Sequence, residues 1–409
     1  MPINKQEQHL RLKLAALKQN GMLKGRERVI RDIIPADGRK GPRYLLEGCG
    51  DRPFLRMNAN TYLGMSLRKE VVAAGEEAAG KFGAGPGAVR FISGTFTAHV
   101  ALEKKLAAFH RREAAMIFSS AYAAVMGVIT PLIDEDTIVL SDALNHNCII
   151  NAIRLSRPKD KGVYRHLDMS DLEKGVKRAI NRCRHLFIVT DGIFSMRGDH
   201  APLNVISDIA AEYDHAFERG INVLVDDSHG VGAFGATGRG TEEVTQAERI
   251  DMLIATLGKS LGVNGGYIAA GASVIDYLRQ TSPFYVYSNP ITPSEAAASL
   301  KALDILDSDS GRSLLTQLRQ LTLLFETGLN NMGFEIIASE HPIVPVMIRN
   351  TEKTATLVRY LFDNNILATG LTYPVVPQGD EEIRFQVSVD HTEADIQTVL
   401  EVLKNFMGS

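Results

Sequence analysis

Between residues 114 and 260 the hydrophobic positions follow one repeating rhythm. A short apolar run ends in a polar turn, and a stretch with helical spacing follows. "AAMIFSS" leads into "AYAAVMGVI", "DTIVLSD" into "NCIINAIRL", and "HLFIVTDG" into "PLNVISDIAAEYDHAF". "INVLVDDSH" and "MLIATLGKS" continue the series. Short apolar runs alternating with helices predict an α/β fold whose mostly parallel sheet is covered on both faces. Near residue 295 the rhythm changes. "PSEAAASLKALDILDS" reads as the start of a long helical stretch. "IVPVMIRN", "ILATGLTYPVVP" and "EIRFQVSVD" follow, with helices around 352–364 and at "EADIQTVLEVLKNF", which predicts a smaller sheet with helices on one side. The expected division is an N-terminal arm (1–60), a large domain (61–295) and a small C-terminal α/β domain (296–409). In the arm, Leu10, Leu14 and Leu17 share one helical face and predict an amphipathic helix docked on the core or on a partner. Ser170 and Glu173 in "SDLE" match a capping box and predict a helix start there.

Composition narrows the picture. The chain has 409 residues, 45% hydrophobic and 23% charged, which is globular and long enough for a large core. A net charge of −3 favours neither nucleic acid nor an anionic membrane. Cys49, Cys148 and Cys183 are widely spaced, so neither a disulfide framework nor a zinc site is expected, and a reducing cytoplasm fits. The charged start and the lack of a spanning-length apolar run predict a soluble protein with no membrane segment. The histidines form no H-E-x-x-H pattern, and no metal is expected.

The polar residues carry the chemistry. Ser119–Ser120, Asp142, Asp191, Asp226 and Lys259 each fall just past the end of a predicted strand. Open parallel sheets bind ligands along that edge. Two decoys lie on it. Gly230, Gly232 and Gly235 spell a dinucleotide fingerprint, which would make the chain a nicotinamide oxidoreductase. Yet glycines at 230, 232, 235, 238 and 240 cannot sustain the helix that must follow, and two aspartates end the strand where a pyrophosphate would sit. These glycines read instead as a loop passing close to other backbone or a ligand. "GKS" at 258–260 lacks the P-loop glycine, since position 253 is Leu253.

Alone, Lys259 would be a solvated loop residue. With Asp226 on another strand it meets the needs of pyridoxal phosphate chemistry. That chemistry takes a lysine amine for the cofactor aldehyde and a carboxylate for the pyridinium nitrogen. A helix N-terminus at "SSAYAAVMG" suits the phosphate. His146 in "SDALNHNC" offers a flat side chain to stack on the ring.

The segments "DDSHGVGAFGATGRG", "TLGKS", "SDALNHNCII", "TDGIFSMRGD" and "RFISGT" closely resemble the α-oxoamine synthases, from about Met22 to the C-terminus. These are fold-type I pyridoxal phosphate enzymes that condense an amino acid with an acyl-coenzyme A. "AVRFISGT", "VYSN" and "YPVVPQG" place the likeness nearest the 2-amino-3-ketobutyrate coenzyme A ligase (glycine C-acetyltransferase) branch. The 8-amino-7-oxononanoate synthase and serine palmitoyltransferase branches are the alternatives. The resemblance implies pyridoxal 5'-phosphate as cofactor and glycine and acetyl-coenzyme A as substrates. It also implies a homodimer with shared active sites.

The same resemblance implies the roles. Lys259 binds the cofactor covalently and later serves as base, and Asp226 pairs with the pyridine nitrogen. His229 and Ser195 lie near the phenolic oxygen, and His146 stacks on the ring. Ser120, Ala121, Tyr122 and Thr256 form the phosphate site. Ser288 and Asn289 reach the neighbouring subunit's phosphate, and Asn60 and Arg384 hold the substrate carboxylate.

Overall fold

The structure is a computed structural model that describes residues 4–19, 22–23, 27–337 and 339–407. Its centre is a seven-stranded sheet. The strands are β1 (Ala114–Phe118), β2 (Thr137–Asp142), β3 (Asp160–Tyr164), β4 (His185–Asp191), β5 (Ile221–Asp226), β6 (Met252–Thr256) and β7 (Gly266–Ala270). Their order across the sheet is β1-β7-β6-β5-β4-β2-β3. Every pairing in it is parallel except the two that β7 makes, with β1 and with β6. The mostly parallel α/β sheet expected from the rhythm is therefore present. The rhythm did not announce β3, which is largely exposed at the edge, or β7, which begins on a glycine.

Successive strand residues point to opposite faces. In β2, Ile138 and Leu140 enter one core while Val139 enters another. In β4, Leu186 and Ile188 part from Phe187 and Val189 in the same way. Both faces are dry, so neither strand carries a polar stripe. The carboxyl ends of the parallel strands then share one edge, and Gly266 at the start of β7 joins them, paired with both Phe118 and Thr256.

The C-terminal part holds a three-stranded antiparallel sheet of β8 (Ile343–Met347), β9 (Thr369–Leu371) and β10 (Glu382–Gln386), with β10 in the middle. Ile383 and Phe385 of β10 face the core. Glu382, Arg384 and Gln386 alternate with them and share the opposite face. The short strand Leu55–Arg56 pairs in parallel with Ile366–Leu367, and Arg43 forms an ion pair with Asp395, so the segment before the large sheet is tied to the C-terminal part. The helix Pro293–Leu306 packs against the helices Lys69–Phe82 and Thr97–Phe109.

The N-terminal helix forms (Asn4–Gln19), and none of its residues is buried, so among the described residues its apolar face is not packed on the core. One local expectation needs correction. The helix Met169–Ala179 is capped by Asp168, whose carboxylate accepts from the amide of Asp171 at 2.9 Å. Ser170 lies inside the first turn, and Glu173 pairs with Lys177. Among the described residues no helix is long and apolar enough to cross a membrane. Among them, too, no group of three or more His, Cys, Asp or Glu side chains is placed to hold a metal ion.

Candidate active site

A cavity of about 300 Å³ opens at the carboxyl edge of the large sheet. Of the residues singled out from sequence, Ala121, Tyr122, His146, Ser195, Asp226, His229, Thr256 and Lys259 line it. Each comes from the end of a strand, the turn just after it, or the start of the helix that follows. Asp226 is the last residue of β5, and Thr256 the last of β6. Lys259 follows in a turn closed by the Gly262 amide donating to the Lys259 carbonyl at 3.0 Å.

Lys259 has intermediate exposure because its surface faces the cavity, while its amine is enclosed. Burial lowers its pKa from 10.5 to about 8; Asp226 opposes the fall and Arg384 adds to it. The Asp226 carboxylate is fixed by Ser228, whose amide and hydroxyl donate to Oδ1 at 3.1 and 2.5 Å. Cys148 Sγ lies 3.7 Å from the other oxygen. One strand over, Asp191 is the register partner of Asp226 and accepts from the His146 amide at 2.9 Å. Burial and the charge of Asp226 push the Asp191 carboxyl well above its ordinary pKa.

His146 caps the helix Asn147–Ser156, accepting from the Cys148 amide at 3.3 Å, and still presents its ring to the cavity. Burial holds its pKa below the ordinary value. His229 is held well below its own by burial and by the positive charges of Lys259 and Arg384. Its neutral ring meets the hydroxyl of Tyr62 through Nδ1 at 2.8 Å. Tyr62 also donates to Asn60 Oδ1 at 3.2 Å, and Arg384 reaches the same oxygen at 3.4 Å. Asn60 and Arg384 thus meet beside the cavity, joined to its wall through Tyr62 and His229. Arg384 is buried, and its Nε has no hydrogen-bond partner among the described residues.

The amide end is built by packing. Ser120 does not line the cavity; its hydroxyl caps the helix Ala121–Leu132 by accepting from Ala123 at 3.0 Å. The amides of Ala121 and Tyr122 in the helix's first turn remain free of such caps and mark the end suited to an anion. Gly266 makes this possible, because a Cβ there would lie 2.3 Å from the Ala121 nitrogen. Ser288 and Asn289 lie outside the cavity, beside the strongly exposed Tyr287.

The glycine-rich loop has a structural explanation. Asp227 turns away from the cavity and is wholly buried, accepting from the Thr241 amide at 2.7 Å and its hydroxyl at 2.8 Å. A Cβ at Gly230 would lie 2.2 Å from its carboxylate, and one at Gly240 2.0 Å. The glycines let the loop close around one aspartate rather than around a nucleotide.

Sequence reasoning missed Tyr62, Cys148, Ser228 and His341. His341 Nε2 donates to the His229 carbonyl at 2.9 Å, and burial lowers its pKa to about 3. Ser228 was legible in principle, two positions after Asp226 in a tight turn. Tyr62 and His341 carried no local signal.

The donor set fits pyridoxal phosphate. An enclosed, readily neutral amine and an anchored carboxylate face one cavity, and uncapped helix amides lie at the same edge. Comparison with known proteins agrees. The family described as aminotransferase class I and II matches residues 52–403. The 8-amino-7-oxononanoate synthase 1 of Bacillus velezensis is 39% identical over 90% of this chain and 91% of its own length. The mitochondrial 2-amino-3-ketobutyrate coenzyme A ligase of Bos taurus is 39% identical over 89% of this chain and 84% of its own. A solved serine palmitoyltransferase from S. paucimobilis, with a bound PLP–myriocin aldimine, superposes with a TM-score of 0.87 at 27% identity, covering 98% of this chain and 97% of that one.

Proposed function

Because this chain belongs to the aminotransferase class I and II family, and within it to the pyridoxal phosphate-dependent α-oxoamine synthases, we propose that glycine and acetyl-coenzyme A are its substrates. The products are 2-amino-3-oxobutanoate and free coenzyme A. The observation that carries the chemistry is the pairing of Lys259 and Asp226 across one cavity, with the amine's pKa lowered to about 8.

When bound, pyridoxal phosphate supplies an electron sink that stabilises negative charge on the amino acid's α-carbon. Lys259 anchors the cofactor and, once free, takes the α-proton on Nζ, which its lowered pKa permits near neutral pH. Asp226 keeps a proton at the ring nitrogen. Arg384, with an unpartnered Nε, pairs with the substrate carboxylate, and Asn60 supports it. The amides of Ala121 and Tyr122 hold the phosphate with Thr256, and Ser195 and His229 bound the cavity near the phenolic oxygen. The α-carbon then bonds to the thioester carbonyl, and the carbon–sulfur bond breaks to release coenzyme A. We place Ser288 and Asn289 at the partner subunit's phosphate in a homodimer, which accounts for their position outside the cavity.

The choice of glycine and acetyl rests on the motifs quoted above and on the likeness to the bovine ligase. A second reading, an 8-amino-7-oxononanoate synthase, is favoured by an equal identity to the Bacillus enzyme. Coenzyme A release, measured across glycine, alanine and serine and across acyl lengths from acetyl upward, separates the two. Highest turnover with glycine and acetyl-coenzyme A is the expected result. Preference for alanine with a longer acyl group would replace it with the second reading.

A further inference from the structure

Ser195 lines a second cavity as well, of about 200 Å³. At roughly 30 Å³ for a water-sized group, there is space for about seven such groups. Leu144, Met196, Met347 and Val376 make most of its wall apolar. Ser195, Arg197, Asp380 and Glu382 interrupt that wall, with Arg197 and Asp380 engaged in ion pairs and Glu382 the most deeply buried. Glu382 is 2% exposed, and its Oε1 has no hydrogen-bond partner among the described residues. Leaving a buried polar atom unpaired is costly, and a ligand that hydrogen-bonds to it relieves that cost. Glu382 and Arg384 share one face of β10, so this cavity lies alongside the place assigned to the substrate carboxylate.

We infer that the second cavity seats part of the pantetheine arm of the coenzyme A thioester, with the Glu382 carboxyl hydrogen-bonded to one of the arm's amides. The inference rests on the acyl-coenzyme A reading above and identifies a recognising residue for it. The arm alternates methylene stretches with secondary amides, which matches a largely apolar wall interrupted by polar groups, with Glu382 offering the oxygen that lacks a partner among the described residues. A carboxylic acid and an amide are complementary, each offering one donor and one acceptor. The charged groups facing Glu382 are Arg384 and Arg197, with Asp380 and Asp199 opposing them. Arg197 is paired with Asp199, and Asp380 with Arg349. Burial outweighs both arginines and pushes the Glu382 pKa up to about 8, so at neutral pH it carries the proton it would donate to the amide carbonyl.

The test is calorimetric titration of free coenzyme A into the holoenzyme, comparing the wild type with Glu382→Leu and Glu382→Gln. Leucine is expected to weaken Kd about tenfold, the scale of one buried hydrogen bond. Glutamine restores most of the affinity, because it keeps a donor and an acceptor. Wild-type affinity should fall as pH rises through about 8, where Glu382 loses its proton, while the glutamine variant stays flat. An unchanged Kd in the leucine variant, a flat wild-type pH profile, or no binding of coenzyme A by the wild type would each overturn the inference. So would a leucine variant altered only in its preference for acyl length, which would put the acyl group in this cavity. If the leucine variant does not fold, the pH profiles of wild type and glutamine variant decide. Binding of free coenzyme A is read without turnover. Failure to release coenzyme A from any thioester therefore removes the proposed reaction, while the titration judges Glu382 separately.

Discussion

Replacing Lys259 by methionine is expected to make the cofactor-free protein more stable at neutral pH. The two side chains have similar length, and the substitution removes the charge. In the folded protein burial lowers the lysine pKa from 10.5 to about 8. At about 1.4 kcal/mol per tenfold change in proton affinity, holding that charge in the site costs roughly 3 kcal/mol. Below about pH 8 both folded and unfolded chains carry the proton, and the full cost is present. Between about 8 and 10.5 the folded chain has released a proton that the unfolded chain still holds, so stability rises with pH. Above that range the cost is gone. The methionine variant should therefore melt at a higher temperature than wild type at pH 7, with a gap that closes by about pH 10.5. Thermal melts of the two cofactor-free proteins across this range are the assay. A variant less stable than wild type at pH 7, or a gap that does not change with pH, would refute the reasoning. The lysine would then not be held near neutrality by burial, and its assignment as base would lose its physical basis.

Three further predictions follow from particular contacts. Arg384→Gln should raise KM for the amino acid by about tenfold to a hundredfold, the range for losing a hydrogen bond to a charged group, with a much smaller change in KM for the thioester. Gly266→Ala puts a Cβ 2.3 Å from the Ala121 nitrogen, so less cofactor should remain after dialysis, read as lower visible absorbance per chain. His166 lies 2.9 Å from Asp142 and 3.3 Å from Asp199; burial lowers its pKa, but the two carboxylates outweigh burial and raise it to about 9. Its contribution to stability is complete below the ordinary histidine value of about 6.5 and is lost as pH rises through about 9, so the melting temperature of His166→Asn should depend less on pH than that of wild type.

Much of the scaffold is legible along the chain. β2, β4 and β5 are buried on both faces, so their identity is written in unbroken apolar runs, and the residue ending each run had to reach the ligand-binding edge. That logic placed Asp226 and Lys259 at one site before any contact was known, and local composition ruled out a nucleotide at the glycine-rich loop. β3 and β7 escaped because their neighbours define them: one is a half-exposed edge, and the other is held between β1 and β6 by antiparallel pairing. Only the folded chain shows what holds the two consecutive aspartates apart. Asp226 turns inward to Ser228, and Asp227 outward to Thr241. Only the folded chain joined Asn60, Tyr62, His229 and Arg384, and left Glu382 Oε1 without a partner among the described residues in a largely apolar wall. Backbone periodicity is a local property, readable a few residues at a time. Hydrogen-bond partners and burial are set by segments distant in sequence, so they exist only once the chain has closed on itself.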